Sequence, residues 1–201
     1  MISIINYGMG NIGSVANMIK KVGGECEIIT TPEEVIAASK LLLPGVGSFD
    51  AGMAALRASG LEDAIKDSVA KNTPLLGICL GMQLLLDKSE EGVSTGLGLV
   101  SGSAKKFDTT KYDIKVPHMG WNTVSVVKKS ALFDENDTGD RFYFVHSYFV
   151  ECVDKSDIAT LSIHGDQFVS SFEKQNIFGS QFHPEKSHKF GMKLMKRFLE
   201  L

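Results

Sequence analysis

Four short apolar runs divide the first half of the chain: Ile2-Ser3-Ile4-Ile5, Glu25 to Thr30, Lys40-Leu41-Leu42-Leu43 and Leu75-Leu76-Gly77-Ile78. The gaps between them carry helical signals. Ile12, Val15, Ile19 and Val22 recur at spacings of three, four and three, which predicts an amphipathic helix ending at Gly23-Gly24. Thr31 can cap a short helix, with Pro32 at its first position and Glu34 three residues on. Further helices are predicted over residues 50–57, 61–71 and 82–87. The third run is apolar at successive positions, as a strand covered on both faces requires. Strand–helix alternation of this kind predicts an α/β layered domain with a parallel sheet. After residue 95 the pattern changes to stretches rich in Val, Ile, Phe and Tyr, at 99–107, 113–117, 123–127, 141–145, 149–153, 158–163, 168–173 and 176–182. These predict antiparallel strands. Phe190, Leu194 and Phe198 place a last amphipathic helix over residues 187–199. No linker or repeat interrupts the 201 residues, so one mixed-sheet domain over 1–201 is expected.

Composition narrows the functional classes. Twenty-one basic against 24 acidic residues leave a net charge of −3, without the basic excess that nucleic-acid binding requires. The three cysteines, Cys26, Cys79 and Cys152, are too few and too scattered for a disulfide framework. None lies in a CxxC pair, so a thiolate metal site is not expected. The start, MISIINYGMGN, has neither a basic n-region nor a long apolar run. A cytoplasmic protein without membrane association is expected.

The strongest local signal is Gly77-Ile78-Cys79-Leu80-Gly81, where a strand ends, a cysteine sits at the turn and a helix starts. This is the G-x-nucleophile-x-G elbow with Cys in place of Ser. Small residues on either side let the chain turn sharply, and the helix aims N–H groups at the sulfur, which favours thiolate. Cys26 and Cys152 have no such flanks and are expected to be structural. A cysteine nucleophile needs a base. Of five histidines, His183 lies just past a strand in Phe182-His183-Pro184-Glu185, with Glu185 two residues on to hold its tautomer. An oxyanion hole needs N–H donors. Leu80 supplies one, and the loop Pro44-Gly45-Val46-Gly47-Ser48 after the third strand is suited to supply another, although alone it is equally an ordinary turn.

PGVGSF, GICLGMQ and FHPEKS, in this order, resemble the class I (triad-type) glutamine amidotransferases over essentially the whole chain. The stretches Asn6 to Asn11 (NYGMGN), Pro117 to Asn122 (PHMGWN) and Tyr143 to Tyr148 (YFVHSY) look like those of glutaminase subunits of imidazole glycerol phosphate synthases. The resemblance implies a flavodoxin-like fold with a mixed central sheet, and a reaction that hydrolyses glutamine through a Cys thioester without cofactor or metal. It implies Cys79 as nucleophile, His183 as base then acid, and Glu185 as its orienter. Gln83, Glu91 and the backbone of Ser147 and Tyr148 would contact substrate, and Val46, Gly47 and Leu80 would form the oxyanion hole. Met119, Trp121, Tyr143 and Lys186 would face a (β/α)8-barrel cyclase subunit that receives the ammonia. His146 is expected to order the glutamine-contact loop, and His118, His164 and His188 have no catalytic context. Without the resemblance, Gln83 and Glu91 are better explained as solvated polar residues of a helix and a loop, and PHMGWN is expected to be turn-like. Three other readings stay open: a glutaminase subunit of another synthase such as the one making pyridoxal phosphate, a stand-alone cysteine hydrolase, and a non-enzymatic flavodoxin-like binding module.

Overall fold

A computed structural model describes residues 1–201. In chain order its elements are β1 (Ile2–Ile5), α1 (Ile12–Lys21), β2 (Cys26–Ile29), α2 (Pro32–Ala37), β3 (Leu41–Gly45), α3 (Phe49–Ala58), α4 (Leu61–Ala70), β4 (Leu75–Cys79) and α5 (Leu80–Leu84). There follow β5 (Lys88–Ser89), β6 (Gly102–Lys106), β7 (His118–Thr123), β8 (Ser125–Val126), β9 (Arg141–His146), β10 (Tyr148–Cys152), β11 (Ile158–His164), β12 (Asp166–Lys174), β13 (Ile177–Ser180) and α6 (His188–Glu200). One sheet runs β2-β1-β3-β4-β13-β12-β10-β6-β5, with β11 paired to β12 and β8 to β11. The pairs from β2 to β4, and β4 with β13, are parallel; β13–β12, β12–β10 and β10–β6 are antiparallel. The predicted division between a parallel first half and an antiparallel second half holds except at two places: β13 runs parallel to β4, and β6 runs parallel to β5.

Both faces of the central strands are covered. Ile5, Leu41 and Leu43 pack into the core beneath the α2–α5 side, whereas Ile2, Ile4 and Leu42 pack into a second core with residues of α1 and α6. This two-sided burial is why β3 shows no polar alternation. Thr31 and Glu34 complete the capping box at the start of α2. At the far end of α6, Lys40 Nζ donates to the carbonyls of Phe198 (2.9 Å) and Leu199 (2.8 Å), which no further turn of helix would satisfy. Burial pulls the Lys40 ammonium below its ordinary pKa. Lys40→Met is expected to destabilise the protein by about 1–3 kcal/mol, the worth of charge-assisted hydrogen bonds, in urea denaturation followed by circular dichroism.

Three local expectations need correction. Residues 113–117 form no strand; Ile114 and Val116 still pack against the core, and apolar alternation alone does not supply a pairing partner. PHMGWN is a strand and not a turn: β7 pairs antiparallel with β9, His118 opposite His146 and Trp121 opposite Tyr143. Its polarity is inside out, with Met119 (62%) and Trp121 (41%) exposed while His118 is buried. That inversion hides a strand from a reading based on apolar period. The helix expected over 82–87 instead runs from Leu80 to Leu84, directly after Cys79.

Candidate active site

The carboxyl ends of β3, β4 and β13 meet at one edge of the sheet, the place where open α/β sheets leave a crevice. Cys79 closes β4 with φ +54° and ψ −110°, a backbone state that a non-glycine residue holds only when its surroundings enforce it. The enforcement is visible. A Cβ on Gly81 would lie 1.9 Å from the Leu43 carbonyl oxygen, and one on Gly77 would lie 2.8 Å from the backbone of Gly81. Only bare glycine lets β4, the turn and the first turn of α5 pack this closely. Gly45 stands opposite Cys79 in parallel register, so the loop Val46–Gly47 hangs beside the sulfur. Gly47 has φ +125°, a conformation suited to glycine. Ser48 makes no side-chain cap for α3; Glu91 does so instead, accepting from the Phe49 N–H at 2.8 Å.

His183 reaches the site from the other side. Past β13, its own N–H donates to the Tyr143 carbonyl (2.9 Å), and Ser187 Oγ donates to the His183 carbonyl (2.6 Å). The imidazole Nδ1 is 2.7 Å from Glu185 Oε1, and both side chains are buried. His183 Nε2 and Glu185 Oε2 have no hydrogen-bond partner in the protein. With Nδ1 committed to Glu185, Nε2 is the ring nitrogen left to exchange a proton with a reacting group. Burial pulls the His183 imidazole down, but the neighbouring Cys79 sulfur and the Glu185 carboxylate outweigh it and raise it to about 9. No hydrogen bond joins the imidazole to the sulfur in this state, so Glu185, whose bond is formed, is the firmer of the two causes. The Cys79 thiol is directed at the Val145 carbonyl (3.8 Å).

A cavity of about 390 Å³ opens over this edge. It brings together Cys79 and His183 with Gln83, Glu91, Ser147 and Tyr148, and with Val46, Gly47 and Leu80. Glu185 stands outside the cavity lining, bonded to His183. Among the residues expected at a partner surface only Lys186 lines the cavity; Met119 and Trp121 lie exposed on β7. Tyr143 and Lys186 adjoin them, the Trp121 and Tyr143 ring centroids 6.1 Å apart and Lys186 Nζ 5.7 Å from the Tyr143 ring.

The sequence reading missed Gln181. Its side chain is fully buried, donates through Nε2 to Cys79 Sγ (3.8 Å) and accepts from Gln83 Nε2 (3.0 Å). A polar residue at the end of a buried strand, two before His183, was the available signal. Tyr7 was missed as well: its buried hydroxyl has no partner, and burial together with the nearby Cys79 pushes the phenol upward. A thiol on a strained elbow, a carboxylate-held imidazole and adjacent N–H donors are equipped for acyl transfer through a covalent intermediate.

Comparison with known proteins agrees with this chemistry. A family model described as glutamine amidotransferase class-I matches residues 3–201. The imidazole glycerol phosphate synthase subunit HisH 2 of Methanococcus maripaludis is 52% identical over 201 residues, covering 100% of this chain and 99% of that protein. The subunit of the same name from Pseudomonas aeruginosa is 48% identical over 202 residues, covering 100% of both. A crystal structure described as a glutamine amidotransferase superposes with a TM-score of 0.76 at 18% identity, over 99% of this chain and 97% of that one, a likeness of fold.

Proposed function

We infer, from the premise that this chain belongs to the class-I glutamine amidotransferase family, that it is the glutaminase subunit of an imidazole glycerol phosphate synthase in histidine biosynthesis. The observation that carries this is full-length likeness to subunits of that synthase in a chain whose Cys79 and His183 line one cavity. Glutamine lies with its carboxamide over Cys79 and its amino-acid end toward Gln83, Glu91 and the backbone of Ser147 and Tyr148. The Cys79 sulfur attacks the carboxamide carbon as the thiolate, its proton already held by His183 as the imidazolium. N–H groups of Leu80 and of the Val46–Gly47 loop meet the oxyanion. His183, held by Glu185, then protonates the departing nitrogen, and the C–N bond breaks to leave a thioester and ammonia. A water that gives its proton to His183 hydrolyses the thioester to glutamate, which releases the Cys79 sulfur and re-forms the imidazolium.

A synthase subunit hands its product to a partner. Ammonia released into water would be protonated at neutral pH and lose its nucleophilic pair, so a covered route favours direct transfer. The partner is a cyclase subunit with a (β/α)8 barrel, which uses the ammonia to form imidazole glycerol phosphate and an aminoimidazole carboxamide ribotide in the cytoplasm. Exposed Met119 and Trp121, with Tyr143 and Lys186 beside them, are the side chains that meet it. Methionine and aromatic residues are enriched at such surfaces.

Two measurements test the reading. Acid-quenched mass spectrometry after glutamine addition is expected to show a glutamyl adduct on Cys79; an adduct on Cys26 or Cys152 overturns the assignment. Glutamine hydrolysis is expected to be low for the chain alone and to rise sharply with the cyclase subunit and its nucleotide ligand. Full activity in isolation would instead support a stand-alone hydrolase.

A further inference from the structure

Three polar side chains that the mechanism leaves unused lie end to end between β7 and the cavity. Asn122 Nδ2 donates to the Ile163 carbonyl (2.8 Å) and lies 3.2 Å from His118 Nε2. His118 Nδ1 lies 2.9 Å from His146 Nε2, and His146 Nδ1 lies 2.8 Å from the Tyr148 carbonyl oxygen. The direction of every proton follows. A carbonyl only accepts, so His146 donates through Nδ1. In a neutral ring its Nε2 is then an acceptor, so His118 donates to it through its own Nδ1. The His118 Nε2 that remains is an acceptor for Asn122, whose Oδ1 accepts from the Thr123 N–H. One tautomer of each neutral ring satisfies all these contacts. An added proton on either ring would set two N–H groups face to face.

The surroundings keep both rings neutral. Burial pushes His146 down to about 3, with the Tyr148 carbonyl opposing and the neighbouring imidazoles of His118, His164 and His183 adding to the fall. Burial and His164, stacked on His118 at 4.2 Å, push His118 down to about 4. Phe107, Phe144 and Phe168 form the aromatic walls around the pair.

The carbonyl that this pair holds belongs to the cavity. The Tyr148 oxygen also accepts from Gln83 Nε2 (3.1 Å), and the second hydrogen of that amide goes to Gln181, which in turn reaches Cys79. Both Gln83 hydrogens are therefore spent on protein acceptors, and its carbonyl oxygen is left to meet a ligand. We propose that His118 and His146 are positioning residues for glutamine: a neutral, Nδ1-protonated pair that fixes the Tyr148 carbonyl and, through it, Gln83. The proposal rests on the glutaminase reading above. It joins β7, whose outer face carries Met119 and Trp121, to the substrate pocket by one continuous hydrogen-bonded chain.

The test uses the full chain assembled with its synthase partner. His146→Phe keeps a ring but removes the donor, and is expected to raise KM for glutamine about tenfold with kcat changed by less than about threefold. His146→Asn keeps a donor at the Nδ1 position and is expected to return KM to within about threefold of wild type. A pair that only supports the fold would lower thermal stability and leave KM alone. His146→Phe with KM within about twofold of wild type, or His146→Asn as impaired as His146→Phe, overturns the proposal. Ring 15N–1H correlation spectra of the wild-type protein at neutral pH provide a second arm that needs neither variant. They are expected to show Nδ1–H on both rings, and Nε2–H on either one overturns the proposal. Should the wild type not hydrolyse glutamine, the functional reading fails by itself and the spectra still decide the chain.

Discussion

Glu185→Gln lowers kcat for glutamine hydrolysis by about a thousandfold or more, with KM changed little. The carboxylate touches no substrate; its Oε1 receives the His183 Nδ1 hydrogen at 2.7 Å in a buried setting, which fixes the tautomer that turns Nε2 toward the reaction. An amide in its place can present its NH2 to Nδ1 and so stabilise the wrong tautomer. The charge matters as much. Burial opposes the imidazolium while Cys79 and Glu185 favour it, to about 9; removing the Glu185 charge leaves burial less opposed, so the pKa falls. The sign for stability follows. A raised histidine contributes stability that is full below about pH 6.5 and is lost as pH rises through about 9. Wild type is therefore expected to lose stability across that window, and Glu185→Gln to show a smaller loss. The alkaline limb of kcat/KM, which reports the free enzyme, should move to lower pH in the variant. Histidine ring NMR against pH measures the shift directly, and an unchanged His183 midpoint would show that Glu185 is not its electrostatic partner.

Chemistry confined to a few adjacent residues was legible in the sequence. GICLG announces an elbow because the steric demand and the nucleophile lie within five positions, and FHPE places the imidazole and its carboxylate two residues apart. Parallel strands were legible because their two buried faces leave continuous apolar runs such as Leu41-Leu42-Leu43. What escaped was set by distant backbone. The β7 strand turns His118 and Asn122 inward and Met119 and Trp121 outward, so its pattern opposes the one that marks a half-buried strand. Its inward histidine is tolerable only because β9 places His146 opposite and the Tyr148 carbonyl beyond, and no local spacing predicts a carbonyl's direction. Gln181 is similar: its partners, Gln83 and Cys79, lie about a hundred residues earlier. Glu91 was expected at the substrate, and it does line the cavity. Its bond to the Phe49 N–H gives it a further duty at the start of α3 that depends on Ser48 not capping.

Gly81→Ala is expected to cost about 3 kcal/mol or more in stability and to lower kcat/KM by about a hundredfold in whatever protein still folds. The added methyl would sit 1.9 Å from the Leu43 carbonyl oxygen and 2.9 Å from its carbon. These are backbone atoms of β3, held by pairing with both β1 and β4, so no side-chain rotation relieves the clash. Either the start of α5 lifts away, carrying Cys79 and the Leu80 N–H, or β3 yields, carrying Gly45 and the Val46–Gly47 loop. Both movements separate the nucleophile from the groups that meet the oxyanion, so stability and catalysis fall together. Gly13→Ala is the matched control. Gly13 lies in α1 with nothing within 4 Å of the added methyl, and alanine there is expected to be neutral or stabilising by about 0.5 kcal/mol. Chemical denaturation and steady-state glutaminase assays on the two variants separate the outcomes. Full activity with a stability loss below about 1 kcal/mol in Gly81→Ala would mean that the elbow has slack. The strained φ of Cys79 would then not be what holds the sulfur in place.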